Sequence, residues 1–358
     1  MLKIDRQLFR DILAFDSTTG KEGDVAAFLE KTLEAPASGV AASPTVQGWD
    51  VPEGGRNLLF SWGVPRVVFC THMDTVPPYI PPVFTDSPVM PDAIGPLSEA
   101  GETPSATVYG RGACDAKGQI VALYAACRAL AEEGLDGFGL LLLAGEETGS
   151  WGAKAFSKTG FKAPYLIVGE PTEGKMVSAC KGTKAFTLHF TGEPFHSGYP
   201  QYGRSAVDAF VDFVQALRQV DFGSDPELGP TTWNIGRLAS DNPQNVLSPA
   251  LDCRLYFRTT FISDGQVAGE VRRFAAEFGA SVDEIGGDAP SRWFVVPGFE
   301  SAPASFGSDA PHLTGFEHRS ICGPGSIRFA HRDDEQITLA ELDQAAENYV
   351  KMFKALQK

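Results

Sequence analysis

Apolar residues in the first half of the chain fall into short continuous runs. Four runs, at 57–62, 66–70, 138–143 and 165–168, predict strands that are buried on both faces of a sheet. Residues 117–133 instead repeat apolar positions at helical spacing. Alternation of strands and helices predicts an α/β fold with a mainly parallel sheet flanked by helices.

The pattern changes near residue 181, where apolar and polar positions begin to alternate. This alternation is typical of strands with one exposed face. Strands are predicted at 186–191, 232–238 and 251–257, and helices at 205–220 and 264–278. The order of these elements predicts a compact α+β unit with a ferredoxin-like arrangement.

The α/β pattern returns after this unit. Thr338 and Glu341 have the spacing of a capping box at the start of a final helix, and Asp5 is placed to cap the first one. We predict a discontinuous larger domain from residues 1–180 and 293–358, with residues 181–292 inserted as a smaller domain. Residues 79–107, rich in Pro, Ser and acidic groups, are predicted to form a long surface loop.

Length and composition narrow the class of protein. The chain has 358 residues, of which 43% are apolar, and no apolar run approaches the about 20 residues that a membrane span needs. Its N-terminus lacks the features of a signal peptide, so we expect a cytoplasmic protein with no membrane partner. The net charge of −15 argues against nucleic acid, because phosphate binding needs a basic surface. The six cysteines form no C-x-x-C pair, which favours buried free thiols over disulfides.

Candidate metal ligands follow the predicted strands. His72 and Asp74 come directly after the run at 66–70, and Asp74 could orient the imidazole of His72, although a surface H-x-D without a role is the alternative. Asp115 lies between glycine-rich turns and could reach the sheet edge where ligands bind. It could equally cap the helix at 117–133.

Further carboxylates follow later strands. Glu146 and Glu147 are adjacent after the run at 138–143, and a cation would relieve their repulsion, but a solvated acidic turn would show the same pattern. Glu170 follows the run at 165–168, and His331 follows a short apolar run near the C-terminus. Taken singly, each of these two could belong to a solvated loop.

Taken together, five of these positions supply two imidazoles and three carboxylates: His72, Asp115, Glu147, Glu170 and His331. This donor set suits two divalent cations bridged by one carboxylate, with zinc favoured and cobalt or manganese as alternatives. A water shared by two such ions would have its pKa lowered toward about 7 and would become a nucleophile at neutral pH.

The motifs around these residues resemble those of the M20 metallopeptidase family, which includes acetylornithine deacetylase, succinyl-diaminopimelate desuccinylase and the glutamate carboxypeptidases. They are HMDT (72–75), GRGACDAKG (110–118), GEETGS (145–150), GEPT (169–172) and GPGSIRFAHRDDE (323–335), in family order. The resemblance implies that Asp115 bridges two ions, that His72 and Glu170 complete one site, and that Glu147 and His331 complete the other.

The same resemblance assigns further roles. It implies that Glu146 is the general base and that Asp74 orients His72. It also implies that residues 1–180 and 293–358 form the catalytic domain and that residues 181–292 form a lid. In the lid, His196 would stabilise the oxyanion, and Asn245 and Arg258 would bind the substrate carboxylate, with Gly323 in the floor of that pocket. The remaining histidines, His189, His312 and His318, match no family site and are expected to be structural.

We therefore predict a dinuclear-metal hydrolase that cleaves the amide bond of an N-acylated amino acid, similar to acetylornithine deacetylase. A carboxypeptidase or dipeptidase with the same metals is the alternative, because both substrate classes present a carboxylate to Arg258. A non-catalytic binding protein would have lost a ligand or the base, and none is missing here. The expected partners are a small N-acyl amino acid or short peptide and a second copy of the chain, which would dimerise through the lid.

Overall fold

The structure is a computed structural model that describes residues 2–34, 43–86 and 106–357. The chain divides into two compact units. The first consists of Met1–Ser178, Trp293–Ala302 and Ser308–Lys358, and the second of Ala179–Arg292 and Pro303–Gly307. Compared with the predicted domain at 181–292, the second unit begins two residues earlier and also takes in the short segment Pro303–Gly307.

The regular elements are numbered along the chain. The helices are α1 (Arg6–Leu13), α2 (Gly23–Glu34), α3 (Lys117–Glu132), α4 (Trp151–Ser157), α5 (Ala206–Arg218), α6 (Asp264–Glu277) and α7 (Leu339–Leu356). The strands are β1 (Thr45–Asp50), β2 (Arg56–Trp62), β3 (Val67–His72), β4 (Val83–Thr85), β5 (Thr107–Tyr109), β6 (Phe138–Leu143), β7 (Ala163–Val168), β8 (Met176–Cys180), β9 (Gly182–Thr191), β10 (Ser224–Asp225), β11 (Gly229–Pro230), β12 (Thr232–Ala239), β13 (Ala250–Thr259), β14 (Ala280–Gly286), β15 (Ser291–Arg292), β16 (Ser301–Ala304), β17 (Phe316–Ile321) and β18 (Gln336–Thr338).

A six-stranded sheet in the order β1-β2-β6-β3-β7-β17 forms the centre of the first unit. The pairs β6/β3, β3/β7 and β7/β17 are parallel, whereas β1/β2 and β2/β6 are antiparallel. The predicted α/β fold with a mainly parallel sheet is therefore confirmed. All residues of β3 and β6 are buried, as their continuous apolar sequences predict.

The register of the sheet determines where polar side chains emerge. His72 pairs with Leu143, and Cys70 pairs with Val168. Because these strands are parallel, the residues that follow β3, β6 and β7 leave the sheet at the same edge. This edge carries five of the predicted site positions, which are His72, Asp74, Glu146, Glu147 and Glu170.

The predicted helix caps are present in the structure, but part of one predicted loop is not a loop. Asp5 accepts a hydrogen bond from the N–H of Leu8, and Thr338 with Glu341 forms the predicted capping box. The predicted surface loop at 79–107 is wrong for Val83–Thr85, which forms β4 and pairs with β5. Phe84 is completely buried there, so a single apolar side chain anchors a segment whose overall composition is polar. Residues 87–105 of that predicted loop lie outside the described residues.

The second unit contains an antiparallel sheet in the order β12-β13-β9-β14. Alternate residues of β13, including Leu251, Cys253 and Leu255, pack against α5 and α6, while their neighbours face solvent. The strands of this sheet and the helices α5 and α6 follow along the chain in the order strand, helix, two strands, helix and strand, which agrees with the predicted ferredoxin-like arrangement. The last strand, β14, was not predicted, because most of its residues are exposed and its apolar pattern is weak.

Two further expectations concern composition. All six cysteines are free and buried, as predicted. Among the residues that the structure describes, no helix combines the length and the apolar character needed to cross a bilayer.

Candidate metal centre

His72 is the last residue of β3, and its side chain is almost completely buried. Its Nδ1 lies 2.9 Å from the main-chain carbonyl oxygen of Asp74, so Nδ1 carries the hydrogen of that bond. Nε2 therefore points to the other side, 3.2 Å from Oδ1 of Asp115. Burial lowers the pKa of His72, but hydrogen bonds to Asp115 and Asp74 outweigh it and raise the pKa well above its usual range.

The carboxylate of Asp74 mainly holds the turn after β6. It accepts hydrogen bonds from the N–H groups of Glu146 at 3.0 Å and Glu147 at 3.1 Å, and from the hydroxyl of Thr19 at 2.9 Å. Its nearest oxygen is 3.4 Å from Nδ1 of His72. Asp74 thus contacts His72 chiefly through its carbonyl group, while its side chain fixes the two glutamates.

Asp115 occupies the middle of the cluster and is 6% exposed. One carboxylate oxygen faces Nε2 of His72 at 3.2 Å and the other faces Nε2 of His331 at 3.4 Å. The alternative role as a helix cap is wrong. The cap of α3 is Ala116, and no side chain makes a capping hydrogen bond there.

His331 approaches the cluster from a loop. Its Nε2 lies 3.1 Å from Glu147, and half of its side chain is exposed. Hydrogen bonds to Asp115 and Glu147 raise the pKa of His331 to about 10. The backbone of His331 has φ +65°, a left-handed conformation that is uncommon for a residue with a side chain and is held in place by its surroundings.

The donor atoms fit a cation. One ligand atom from each of His72, Asp115 and Glu147 lies within 4.8 Å of the other two. Glu170 is 4% exposed, and its Oε1 has no hydrogen-bond partner among the described residues. Burial raises the pKa of Glu170 well above its usual value, and the neighbouring charge of Glu146 adds to this effect. A buried carboxylate oxygen without a partner is costly, and a divalent cation would satisfy it.

Glu146 lies beside these groups. Burial raises the pKa of its carboxyl well above the usual value, and the positive charge of His72 only partly opposes this. The negative charges of Asp309 and Glu147 raise it further. A carboxylate whose pKa is raised in this way takes up a proton more readily than a free one, which is the property that a general base requires.

The profile of peptidase family M20/M25/M40 matches residues 68–355, which is most of the chain. This chain belongs to that family. A probable carboxypeptidase of Emericella nidulans is 31% identical over 394 aligned positions, which cover 97% of this chain and 88% of the relative.

Solved structures of other proteins have the same fold. A tripeptidase from Staphylococcus aureus superposes with a TM-score of 0.75 at 17% identity, covering 99% of this chain and all of the other. A Bacillus subtilis protein described as a dinuclear metal-binding peptidase of the M20 family gives a TM-score of 0.67 at 11% identity, with coverage of 99% and 98%. The chain is thus an M20-family metallopeptidase with a candidate metal site at His72, Asp115 and Glu147.

The second unit of this M20 protein contains three predicted substrate-binding residues. His196 and Asn245 lie together, because residue 196 bridges to Val246 and the N–H of Ser197 donates to the carbonyl of Asn245. Nδ1 of His196 accepts a hydrogen bond from the N–H of Gly198, which leaves the hydrogen on Nε2. The side chain of Arg258, on β13, lies over the ring of Tyr256 and makes no ion pair or hydrogen bond within the described part of the chain.

The fourth predicted substrate-binding residue, Gly323, belongs to the first unit. A Cβ atom at this position would lie 2.5 Å from the carbonyl oxygen of Glu170 and 2.2 Å from Gln119. Glycine is therefore required for the close approach of this segment to Glu170. This contact places Gly323 beside a candidate ligand.

Three buried carboxylates near the cluster were not singled out by sequence reasoning. Glu22 accepts hydrogen bonds from the N–H groups of Gly145 and Gly20, and burial raises its pKa to about 7. Asp309 is 1% exposed, and burial raises its pKa to about 6. Both lie in loops with no apolar pattern, so their burial could not be predicted. Glu335 ends the motif that contains His331, and its place in that motif could have indicated that it lies near the candidate metal ligands.

Proposed function

We propose that this chain is a two-metal carboxypeptidase that releases the C-terminal residue of a short peptide. The observation that carries the proposal is the convergence of two histidines and Glu147 on Asp115, with the buried carboxylate of Glu170 nearby. The name of the Emericella nidulans relative supports the choice of carboxypeptidase among the activities of the family.

The proposed ligand sets follow the geometry of the first unit. His72, Asp115 and Glu170 would hold one ion, and Glu147, Asp115 and His331 the other, with zinc as the proposed metal. When bound, such ions supply Lewis acidity that polarises the scissile carbonyl and lowers the pKa of water. Asp115 suits the shared position because its two carboxylate oxygens face different histidines.

The proton transfers are assigned to Glu146. Its carboxylate would accept a proton from the water whose oxygen bonds to the carbonyl carbon, and would give that proton to the amine as the C–N bond breaks. Asp74 would keep Glu146 in place through its hydrogen bond to the Glu146 N–H. Nε2–H of His196 would donate to the carbonyl oxygen as negative charge develops there.

Substrate selection is assigned to the second unit. Burial lowers the pKa of Lys181, and the positive charge of Arg258 lowers it further, so the two cations lie near each other. Within the described residues neither cation has a carboxylate partner, although Lys181 donates to the carbonyl of Pro230. Two cations without an anion favour a substrate that brings its own carboxylate, and the guanidinium fork of Arg258 matches such a group.

Deacylation of an N-acyl amino acid is the second candidate function. Such a substrate contains the same group as the end of a peptide, an acylated amine next to a carboxylate. A Glu at position 170 also resembles both the deacylase and the carboxypeptidase branches of the family. A panel of N-acetyl and N-succinyl amino acids, dipeptides and blocked peptides, assayed with added zinc, cobalt or manganese, distinguishes the two.

Replacement of Glu146 tests the mechanism directly. Glu146→Ala is expected to leave the metal content intact and to remove nearly all turnover of the best substrate in the panel. Asp252→Asn, an exposed substitution in the second unit, is the control for loss of one negative charge. Unchanged turnover of the Glu146 variant, at wild-type metal content, would show that another group is the base.

We also propose that the chain acts as a homodimer that pairs through the second unit. Strand β12 ends the four-stranded sheet, and its outer edge pairs with no other described strand. Exposed strand edges are common sites of pairing between chains. If His196 acts on the partner's centre, mixed subunits of His196→Ala and Glu146→Ala should regain part of the activity, and verified exchange without recovery would argue against action across the interface.

A further inference from the structure

Glu335 lies at a junction between two segments that carry metal ligands. Its side chain is fully buried. Its Oε1 accepts hydrogen bonds from the main-chain N–H groups of Cys114 and Asp115, both at 3.0 Å. One carboxylate oxygen therefore holds the backbone of the residue that faces both histidines.

Arg111 completes the junction. Its Nη1 donates to Oε2 of Glu335 at 2.8 Å and to the carbonyl oxygen of Arg332 at 3.1 Å. The guanidinium is 1% exposed, and its Nε donates to the carbonyl of Pro78 at 3.3 Å. Because Arg111 neutralises Glu335, the pair adds no net charge near the centre, and its effect on the ligands is geometric.

Main-chain contacts join the same two segments. The N–H of Gly110 donates to the carbonyl of Glu335 at 3.0 Å, and Tyr109 pairs with Gln336 between β5 and β18. Asp115 and His331 lie on either side of this junction, and their facing atoms are 3.4 Å apart. The distance between these two side chains thus depends on contacts made by Glu335.

The two proposed metal sites depend on this junction to different degrees. His72 is the last residue of β3, a strand hydrogen-bonded to neighbours on both sides, and Glu170 follows β7 in the same sheet. His331 belongs to no strand, is half exposed and has a left-handed backbone. Its position therefore rests on loop contacts, whereas His72 and Glu170 are placed by the sheet.

We propose that the buried pair of Glu335 and Arg111 positions Asp115 against His331 and thereby controls binding of the second ion more than the first. The inference rests on the proposed two-metal function. Both residues act through the backbone and through Asp115, so they are positioning residues. Substitution of groups that support metal ligands commonly weakens metal affinity by about 10–100-fold.

The test uses the full chain stripped of metal with a chelator. Metal-free protein is titrated with Co²⁺ for the wild type and for the variants Glu335→Gln and Glu335→Ala. Binding of the ions is followed by visible absorption and calorimetry. Asp225→Ala is the matched control, because Asp225 in the second unit also accepts two successive main-chain N–H groups, from Glu227 and Leu228. Far-UV circular dichroism and urea unfolding establish that each variant is folded.

The expected result is selective. Folded Glu335→Ala should bind one ion with an affinity within about threefold of the wild type and the second at least about tenfold more weakly. Glu335→Gln keeps one acceptor oxygen, so its affinity for the second ion should lie between those of the wild type and Glu335→Ala. Asp225→Ala should bind both ions with wild-type affinity. If Glu335→Ala does not fold, Glu335→Gln decides.

Other outcomes have distinct meanings. Equal weakening of both ions, or unchanged binding in the folded Glu335 variants, would overturn the positioning role. Wild-type protein that binds fewer than two ions would instead overturn the proposed two-metal function, whatever the variants do.

Discussion

Replacement of Asp74 by Asn probes how the centre is supported. Asp74 is completely buried, and its carboxylate accepts hydrogen bonds from the N–H groups of Glu146 and Glu147 and from the hydroxyl of Thr19. In the Asn variant the amide oxygen can still accept from Glu146. The NH₂ group, however, replaces the oxygen that faces Glu147 and Thr19, and it cannot accept a hydrogen bond.

The cost follows from these contacts. The Thr19 hydroxyl can rotate and accept from the new amide, but the N–H of Glu147 is left without a partner, which costs about 1–3 kcal/mol. The bond retained by Glu146 loses the negative charge of its acceptor, which removes roughly another 1 kcal/mol. We therefore expect the free energy of unfolding of the metal-free protein to fall by about 2–4 kcal/mol.

Metal binding should weaken as well. The unpaired N–H belongs to Glu147, a candidate ligand, so we expect a decrease in metal affinity of about 10–100-fold. The main-chain carbonyl of Asp74 is unchanged in this variant, and the orientation of His72 should therefore persist.

Two measurements check the prediction. Urea unfolding in excess chelator gives the stability of the metal-free chain, and competition with a fluorescent zinc chelator gives the affinity. Thr19→Val removes only a hydroxyl donor from the same carboxylate and should cost less than about 1.5 kcal/mol. A folded Asp74→Asn protein with wild-type zinc affinity would refute the conclusion that Asp74 positions the ligand turn.

Three further predictions concern stability. Gly145→Ala should lower the free energy of unfolding, measured with urea, by roughly 2–5 kcal/mol, because residue 145 has φ +69° and its Cβ would lie 1.7 Å from Trp151. Gly160→Ala is the control, because residue 160 has φ +77° but open space around it, and this variant should show only the cost of the left-handed backbone. Adding zinc at about 100 times the Kd of each site should raise the free energy of unfolding by about 2.7 kcal/mol per bound ion over the chelated protein in thermal unfolding, and absence of any shift would argue against a metal site. Hydrogen bonds to Asp252 and Asp283 raise the pKa of His189, so this group stabilises the fold below its unfolded pKa of about 6.5 and the effect is lost as pH rises through the raised value. The stabilisation is small because His189 and Asp252 are exposed. Urea unfolding of the wild type and of His189→Gln, at pH values below and above the raised pKa, should show a difference in the free energy of unfolding only on the acidic side.

Periodicity predicted the strong elements of the fold well. Residues 138–143 coincide with β6, and residues 117–133 differ from α3 by one position, because long or continuous apolar patterns reflect burial directly. The predictions failed where local sequence and burial disagree. Strand β4 is a three-residue element in a polar stretch, and β14 is a mostly exposed edge strand, so neither has a distinct pattern.

Site residues divide in the same way. Residues that follow buried strands, such as His72 and Glu170, could be predicted because parallel strands end at one edge of a sheet. The sequence also suggested that Asp74 orients His72, but only the structure assigns its carboxylate to the N–H groups of Glu146 and Glu147. No sequence pattern separates Glu22 or Asp309 from ordinary loop acids.

The amino-acid sequence by itself determined the fold class and the family, and it predicted an inserted second unit and a set of candidate metal-binding donors, because these depend on apolar periodicity and on side-chain chemistry. Only the tertiary structure decided that Asp115 lies between two histidines, that an oxygen of Glu170 is buried without a partner, and that Glu335 joins the segments of Asp115 and His331. These properties depend on distances between residues up to 259 positions apart, from 72 to 331, and such distances are set by packing of the whole unit.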